Sequence, residues 1–186
     1  MGFKFIVLLV VMNPIIRLDH RLTFWLQSWP TSLHPLMIAI TQLGSVGLIV
    51  SLSVVIAVLA FAKHHSRLMW AFAAVLPGEA FNALLKLGFN RARPHTQYAQ
   101  DMFLRTKSFP SGHAFGSMLF YGLLAYLAFT RLPQGWNYLV SALFVILIFL
   151  IGVSRVYLGA HYSLDVIGGW VIGAIVLFII IKLTKI

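Results

Sequence analysis

The feature that most constrains the fold is a long stretch without strong charge. No Asp, Glu, Lys or Arg occurs between Arg21 and Lys63. A helix rises 1.5 Å per residue, so about 20 apolar residues cross the hydrocarbon of a bilayer. Within this stretch, residues 36–62 are long enough to do so, which predicts a membrane-spanning helix.

The composition excludes the other broad classes. Hydrophobic residues make up 60% of the chain and charged residues only 10%, whereas soluble domains average about 25% charged residues. Such a composition excludes a soluble globular domain and a disordered chain. Because the sequence has no Cys, it also has no disulfide framework, thiolate nucleophile or Cys-ligated metal.

Apolar runs along the chain predict the all-α class, as an integral membrane bundle of six transmembrane helices. The runs are residues 5–16, 36–62, 68–86, 114–130, 139–154 and 162–181. The first run is short and fits a spanning helix, a truncated helix or a signal-like segment. We favour a spanning helix because no small-residue cleavage pattern follows it. With no repeat or linker, residues 1–186 are expected to form a single transmembrane domain.

Two features concern the bilayer itself. Residues 17–34 place Trp25 and Trp29 among polar residues, which is typical of a segment lying in the membrane interface. The net charge of +10 would suggest nucleic acid in a soluble protein. In a membrane protein, basic loops set orientation and contact anionic lipid, so we expect the bilayer as a partner and no nucleic acid.

Three polar patches lie at the ends of predicted spans: residues 86–94, 110–113 and 154–165. The first two flank the long polar connection 90–109, so they share a membrane face. The chain then crosses the membrane and returns before the third patch. All three patches are therefore predicted at one membrane surface.

The patches contain groups suited to binding an anion. Lys86, Arg93 and Arg155 are cations, and the guanidinium fork in particular matches phosphate oxygens. Ser111 and Gly112 stand at a predicted helix start, where unpaired backbone N–H groups point at an anion. These residue types indicate a phosphate site.

Two histidines add reactive groups to the same surface. Neutral imidazole is a nucleophile or proton carrier near neutral pH, and His113 and His161 are both available. His161 and Asp165 are four residues apart, so in a helix they would lie on one face. A carboxylate in that position holds the imidazole tautomer and stabilises the charge that develops during attack.

Taken together, the motifs resemble the three-part signature of the type 2 phosphatidic acid phosphatase superfamily. Lys-x6-Arg-Pro matches residues 86–94, Pro-Ser-Gly-His matches 110–113, and Ser-Arg-x5-His-x3-Asp matches 154–165, with no departure. The resemblance implies an enzyme, a metal-independent lipid phosphate phosphatase that acts through a phosphohistidine. Its implied substrates are membrane lipids with a phosphomonoester or pyrophosphate, such as phosphatidylglycerol phosphate, undecaprenyl pyrophosphate or phosphatidic acid.

The resemblance also implies a role for each residue. His161 would attack phosphorus, Asp165 would orient and charge-balance His161, and His113 would protonate the leaving oxygen and later activate water. The phosphoryl oxygens would be held by Lys86, Arg93, Ser111, Gly112 and Arg155. No metal and no other cofactor are implied.

Alternatives to hydrolysis remain open. A lipid phosphotransferase would share these residues, and the sequence does not separate it from a hydrolase. A non-catalytic lipid-phosphate binding or transport protein is less favoured, because pure binding needs only the cations. Basic residues are nearly balanced between the two membrane faces, so orientation follows the resemblance: a bacterial cytoplasmic membrane, an external active site and cytoplasmic ends. The sequence predicts no oligomeric state.

Beyond the fixed positions of the signature, two residues and one glycine motif carry further expectations. Glu79 lies inside a span, where an acid is costly; it is expected to pair with Asn82 or another polar group, or to shape the substrate cavity. Arg91 is expected to be solvated or to touch headgroups. Gly169-x3-Gly173 predicts close helix packing, more readily inside the bundle than in a dimer.

Overall fold

The computed structural model describes residues 14–101 and 107–186, and this part of the chain forms α-helices and no strands. The helices are α1 (Pro14–Gln27), α2 (His34–Leu43), α3 (Val46–Ala62), α4 (Ser66–Ala73), α5 (Val75–Phe89), α6 (Gln97–Asp101), α7 (Gly112–Arg131), α8 (Trp136–Tyr157) and α9 (Ser163–Thr184). A 3₁₀ turn, Thr31–Leu33, precedes α2. The predicted all-α class is confirmed for these residues.

Five segments of the described chain are long and apolar enough to cross a membrane. They are Thr31–Ala62, Ser66–Phe89, Gly112–Arg131, Trp136–Tyr157 and Ser163–Thr184. These segments match the second to sixth predicted spans, and the chain is a multi-pass integral membrane protein. The first predicted span, residues 5–16, lies outside the described residues except for its last three, which begin α1. The count of six spans therefore stays a prediction.

Two of the spans consist of two helices each. In the first, α2 ends at Leu43 and α3 begins at Val46, and the Tyr121 hydroxyl donates to the Leu43 carbonyl at 2.9 Å. In the second, α4 ends at Ala73 and α5 begins at Val75, with Ala74 between them. Pro77 explains this break, because it has no N–H to donate to the carbonyl of Ala73 in the preceding turn.

Helix α7 occupies the centre of the bundle and packs against α3, α4, α5, α8 and α9. Its Phe115, Leu119 and Leu123 side chains are fully buried. Helix α9 approaches α7 closely, since a Cβ added at Gly169 would lie 2.7 Å from the Ser111 carbonyl oxygen and one added at Gly173 would lie 3.0 Å from that of Phe115. The predicted glycine packing inside the bundle is confirmed.

Helix α1 has a different character from the spanning helices. Only Asp19 and Thr23 are buried on it, whereas Phe24 and Trp25 are exposed. A helix with one docked polar face and exposed aromatic side chains is typical of the membrane interface. The segment expected to lie in the membrane interface therefore contains a helix, α1, which packs against α8 and α9.

Four helix ends meet at one end of the bundle. They are the C-terminal ends of α5 and α8 and the N-terminal ends of α7 and α9. The Lys86 ammonium donates to the Pro110 carbonyl, and the Ser111 N–H donates to the Asp165 carbonyl at 2.9 Å. The three polar patches thus lie together, as their order along the chain predicts.

Candidate active site

A cavity of about 280 Å³ opens where these helix ends meet. It is lined by Val46, Glu79, Asn82, Ala83, Lys86, Arg93, Gly112, His113, Arg155 and His161. Six of the eight predicted site residues are in this lining. The other two, Ser111 and Asp165, are fully buried behind it.

His161 lies in the short connection between α8 and α9 and is only 2% exposed. Its Nε2 atom lies 3.1 Å from Nη1 of Arg93, which also donates to the Ala160 carbonyl at 2.8 Å. The two predicted partners are therefore adjacent although 68 residues separate them in sequence. The Nε2 atom is on the side of the ring that meets the guanidinium.

The opposite ring nitrogen of His161 faces Ser108, which the sequence analysis missed. Ser108 Oγ lies 3.3 Å from His161 Nδ1 and donates to Asp165 Oδ2. The direct distance from His161 Nδ1 to Asp165 Oδ2 is 3.6 Å, which is too long for a good hydrogen bond. Ser108 therefore connects the imidazole to the carboxylate, and the Tyr162 N–H fixes the same carboxylate oxygen at 2.9 Å.

The surroundings of His161 keep its imidazole neutral. Burial is the largest influence and lowers the pKa of His161, and the charges of Arg93 and Arg155 lower it further. Asp165 opposes this shift, but the pKa falls from 6.5 to about 3. Burial and the neighbouring Arg155 likewise lower the pKa of Arg93 to about 10. Near neutral pH the site thus combines an uncharged imidazole with a charged guanidinium.

The guanidinium of Arg155 donates hydrogen bonds to two hydroxyl groups. Its Nη1 atom donates to Thr41 Oγ1 at 2.9 Å and to the Tyr98 hydroxyl at 3.4 Å, and the residue is 3% exposed. Thr41 and Tyr98 come from α2 and α6, which brings distant parts of the chain to the cavity wall. These bonds fix the direction of the guanidinium before any substrate binds.

The N-terminus of α7 forms another part of the wall. Gly112 and His113 belong to its first turn and line the cavity. Ser111 is the N-cap residue, and its Oγ accepts from the Ala114 N–H at 3.5 Å. Because its own N–H donates to the Asp165 carbonyl, Ser111 caps the helix and ties it to α9.

The expectation of a solvated or headgroup-bound Arg91 is wrong. Its guanidinium is half-buried and forms ion pairs with Asp165 Oδ1 at 2.7 Å and with Asp19 Oδ2 at 2.5 Å. Burial acts to lower the pKa of Arg91, but the hydrogen bond to Asp19 and the charges of both carboxylates outweigh it and raise the pKa. Asp19 was not predicted to belong to the site.

The expected pairing between Glu79 and Asn82 is not found. Both residues are buried and line the cavity, yet Glu79 Oε1 and Asn82 Oδ1 have no hydrogen-bond partner within residues 14–101 and 107–186. Glu79 Oε1 lies against Gly116, where an added Cβ would collide with it. The second expectation, that Glu79 shapes the cavity, agrees with this position.

Fold and cavity together define a class of protein. It is a multi-pass helical membrane protein with a cavity at one end of its bundle that is lined by histidine, arginine and lysine side chains. The profile of the PAP2 superfamily matches residues 67–185. The chain belongs to the PAP2 superfamily, which confirms the resemblance seen in its motifs.

Two relatives from Bacillus subtilis align with most of the chain. Phosphatidylglycerophosphatase B is 31% identical over 163 residues, which cover 83% of this chain and 75% of the relative. Undecaprenyl-diphosphatase BcrC is 26% identical over 155 residues, which cover 81% of this chain and 74% of the relative. Both relatives are named as phosphatases of lipids.

Two solved structures share the fold. The transmembrane PAP2 type phosphatidylglycerolphosphate phosphatase from Bacillus subtilis superposes with a TM-score of 0.78 at 25% identity, covering 98% of this chain and 92% of that structure. Aquifex aeolicus LpxE superposes with a TM-score of 0.66 at 21% identity, covering 89% of this chain and 95% of that structure. The second likeness concerns the fold alone.

Proposed function

We propose that this protein is a metal-independent lipid phosphate phosphatase that cleaves a phosphomonoester or pyrophosphate of a membrane lipid. The observation that carries the proposal is the cavity in which the neutral imidazole of His161 meets Arg93 at 3.1 Å. Lys86, Arg155 and His113 line the same space. The names of the Bacillus subtilis relatives support the choice of a lipid phosphate as substrate.

The cations of the cavity would hold the phosphoryl group. Phosphoryl transfer spreads negative charge over three equatorial oxygens, so fixed cations and N–H donors supply most of the stabilisation. Lys86, Arg93 and Arg155 provide the charges, and the first turn of α7 at Gly112 adds backbone dipoles that favour an anion. Ser111 supports this arrangement by capping α7.

In the first step, Nε2 of His161 attacks phosphorus. A proton on Nδ1 faces Ser108 Oγ, whose own hydroxyl proton goes to Asp165. This tautomer leaves Nε2 unprotonated with its lone pair toward Arg93, and binding of phosphoryl oxygens to Arg93 would free that lone pair for attack. The N–P bond forms as the bond to the leaving oxygen breaks. His113 would take up a proton when the negative phosphoryl group enters the cavity, and it gives that proton to the leaving oxygen. Asp165 balances the positive charge that develops on the ring.

In the second step, water replaces His161 on phosphorus. His113, now neutral, accepts a proton from the water as the new P–O bond forms and the N–P bond breaks. Inorganic phosphate leaves, and both histidines return to their starting states. A covalent intermediate divides one difficult displacement into two easier ones.

The apolar part of the cavity lining suits the lipid tail. Val46 on α3 and Ala83 on α5 are the apolar residues of its lining. We propose that the tail lies among the bilayer lipids while the phosphate meets the cations. Phosphatidylglycerol phosphate, phosphatidic acid and undecaprenyl pyrophosphate all fit this description.

The orientation of the protein is part of the same proposal. We propose six spans in a bacterial cytoplasmic membrane, with both chain ends cytoplasmic and the cavity on the external face. The support is the resemblance of the motifs to the superfamily. Addition of a membrane-impermeant phosphatase inhibitor to intact cells tests the external face, since a cytoplasmic cavity would stay uninhibited.

The test of the function is phosphate release by purified protein from a panel of lipid phosphates and pyrophosphates in EDTA. We expect release from at least one lipid, inhibition by vanadate and no release by His161→Asn. A matched control is His64→Asn, because His64 is exposed in the turn between α3 and α4 and has φ 59°, which Asn tolerates. Lipid binding without release would contradict the proposal, and phosphate transfer to a second lipid instead of water would identify a phosphotransferase.

A further inference from the structure

Helix α1 contributes its two buried side chains to the start of α9. Asp19 Oδ1 accepts from the Leu164 N–H at 2.8 Å, and Thr23 Oγ1 accepts from the Ser163 N–H at 3.0 Å. The first N–H groups of a helix have no partner within that helix. Side chains of α1 therefore accept from the first two N–H groups of the helix that carries Asp165.

Arg91 joins this contact to the cavity. One guanidinium nitrogen binds Asp19 and the other binds Asp165, and both carboxylates have fully buried side chains. The guanidinium also lies 4.5 Å above the ring of Tyr162. Because the Arg91 guanidinium contacts Asp19 and Tyr162 as well as Asp165, it fixes the direction and position of the Asp165 carboxylate.

The charges in this group do not cancel pairwise. One cation stands between two anions, so the set carries one net negative charge. With Asp19 balancing Arg91, the charge of Asp165 remains available to the imidazole of His161. Without Asp19, Arg91 would be neutralised by Asp165 alone, and the support for a positive ring would weaken because buried charges interact strongly.

We infer that Asp19 is a positioning residue for the nucleophile, acting through Arg91 on Asp165, and that the interfacial helix α1 is thereby required for full catalysis. The inference rests on the proposed function. Asp19 does not line the cavity, so it acts on the chemical step and leaves lipid binding unchanged.

The experiment compares Asp19→Asn with a control on the same helix. Asp19→Asn keeps an oxygen for the Leu164 N–H but removes the charge. Thr23→Val removes the neighbouring cap and leaves the charges intact. We expect Asp19→Asn to lower kcat and the rate of phosphoenzyme formation by about 10- to 100-fold with an unchanged KM, and Thr23→Val to change kcat less than about threefold.

A double variant separates charge balance from docking. Arg91→Gln alone leaves two buried carboxylates without a cation, and we expect a large loss of activity. Asp19→Asn combined with Arg91→Gln restores one net negative charge. If the two single losses were independent, they would multiply in the double variant. We expect the kcat of the double variant to exceed that multiplied value by about tenfold or more. If a single variant does not fold, the kcat of the double variant is compared directly with that of wild type.

Several results would overturn the inference. They are a wild-type kcat for Asp19→Asn, equal losses in Asp19→Asn and Thr23→Val, or single effects that simply multiply in the double variant. In each of these cases the wild-type chain still releases phosphate, so the proposed function stands. A wild-type chain inactive on every lipid of the panel would overturn the proposed function and this inference together.

Discussion

The depressed pKa of His161 makes a quantitative prediction about stability. The pKa is about 3 in the folded protein against an ordinary value of 6.5, so the unfolded chain binds a proton that the folded chain excludes. Stability from this group is therefore present above the ordinary pKa and is lost as pH falls toward the folded one. The full difference corresponds to about 5 kcal/mol, of which about 2 kcal/mol is lost between about pH 7.5 and about pH 5.

The assay is the free energy of unfolding in detergent micelles at these two pH values. His161→Asn is the matched control, because it removes the titrating group and keeps a polar, uncharged side chain. We expect the free energy of unfolding to fall by about 2 kcal/mol more in wild type than in the variant. An identical pH dependence in the two proteins would refute the reasoning that His161 is buried neutral.

Three further substitutions test other contacts of the site. Ser108→Ala removes the hydroxyl that connects His161 to Asp165; kcat should fall about 10- to 100-fold in phosphate release. Arg155→Lys loses the planar fork, so vanadate inhibition should weaken about 100-fold or more. Gly116→Ala introduces a Cβ into the space of Glu79 Oε1 and should lower the free energy of unfolding by about 1–3 kcal/mol. Adding Glu79→Ala should relieve that strain, and a double variant no more stable than Gly116→Ala would contradict it.

The membrane spans were predictable because their signal is local. A predominantly apolar run of about 20 residues is sufficient to indicate a spanning helix, and five such segments agree with the sequence. The breaks within spans were less evident. Pro77 is a visible signal for the gap between α4 and α5. At the break between α2 and α3, the Leu43 carbonyl accepts from the hydroxyl of Tyr121, a contact that no local pattern indicates.

The cavity lining was predictable for a different reason. Lys86, Arg93, His113, Arg155 and His161 stand in motifs with fixed spacing, and the alternation of spans brings those motifs to one face. Ser108 lies two residues before the second motif, and this position was its only signal. Nothing in the sequence relates a serine there to His161 and Asp165, because that contact depends on how the connection folds back.

The ion pair between Asp19 and Arg91 is a contact that the sequence does not predict. Asp19 is a lone acid among basic and aromatic residues of an interfacial segment, and Arg91 is one of several basic residues in a polar loop. Their ion pair joins residues 72 positions apart. Such a pair arises from the docking of α1 on α9, a tertiary event that no local pattern encodes.

The most direct measurement of the central claim is the site of covalent phosphate. The protein is incubated with a labelled lipid phosphate, quenched without acid and digested, and the labelled peptide is sequenced by mass spectrometry. We expect an acid-labile phosphate on His161, at higher occupancy in His113→Ala, where the second step lacks its base. Continued turnover with no covalent phosphate, or phosphate on another residue, would contradict the account.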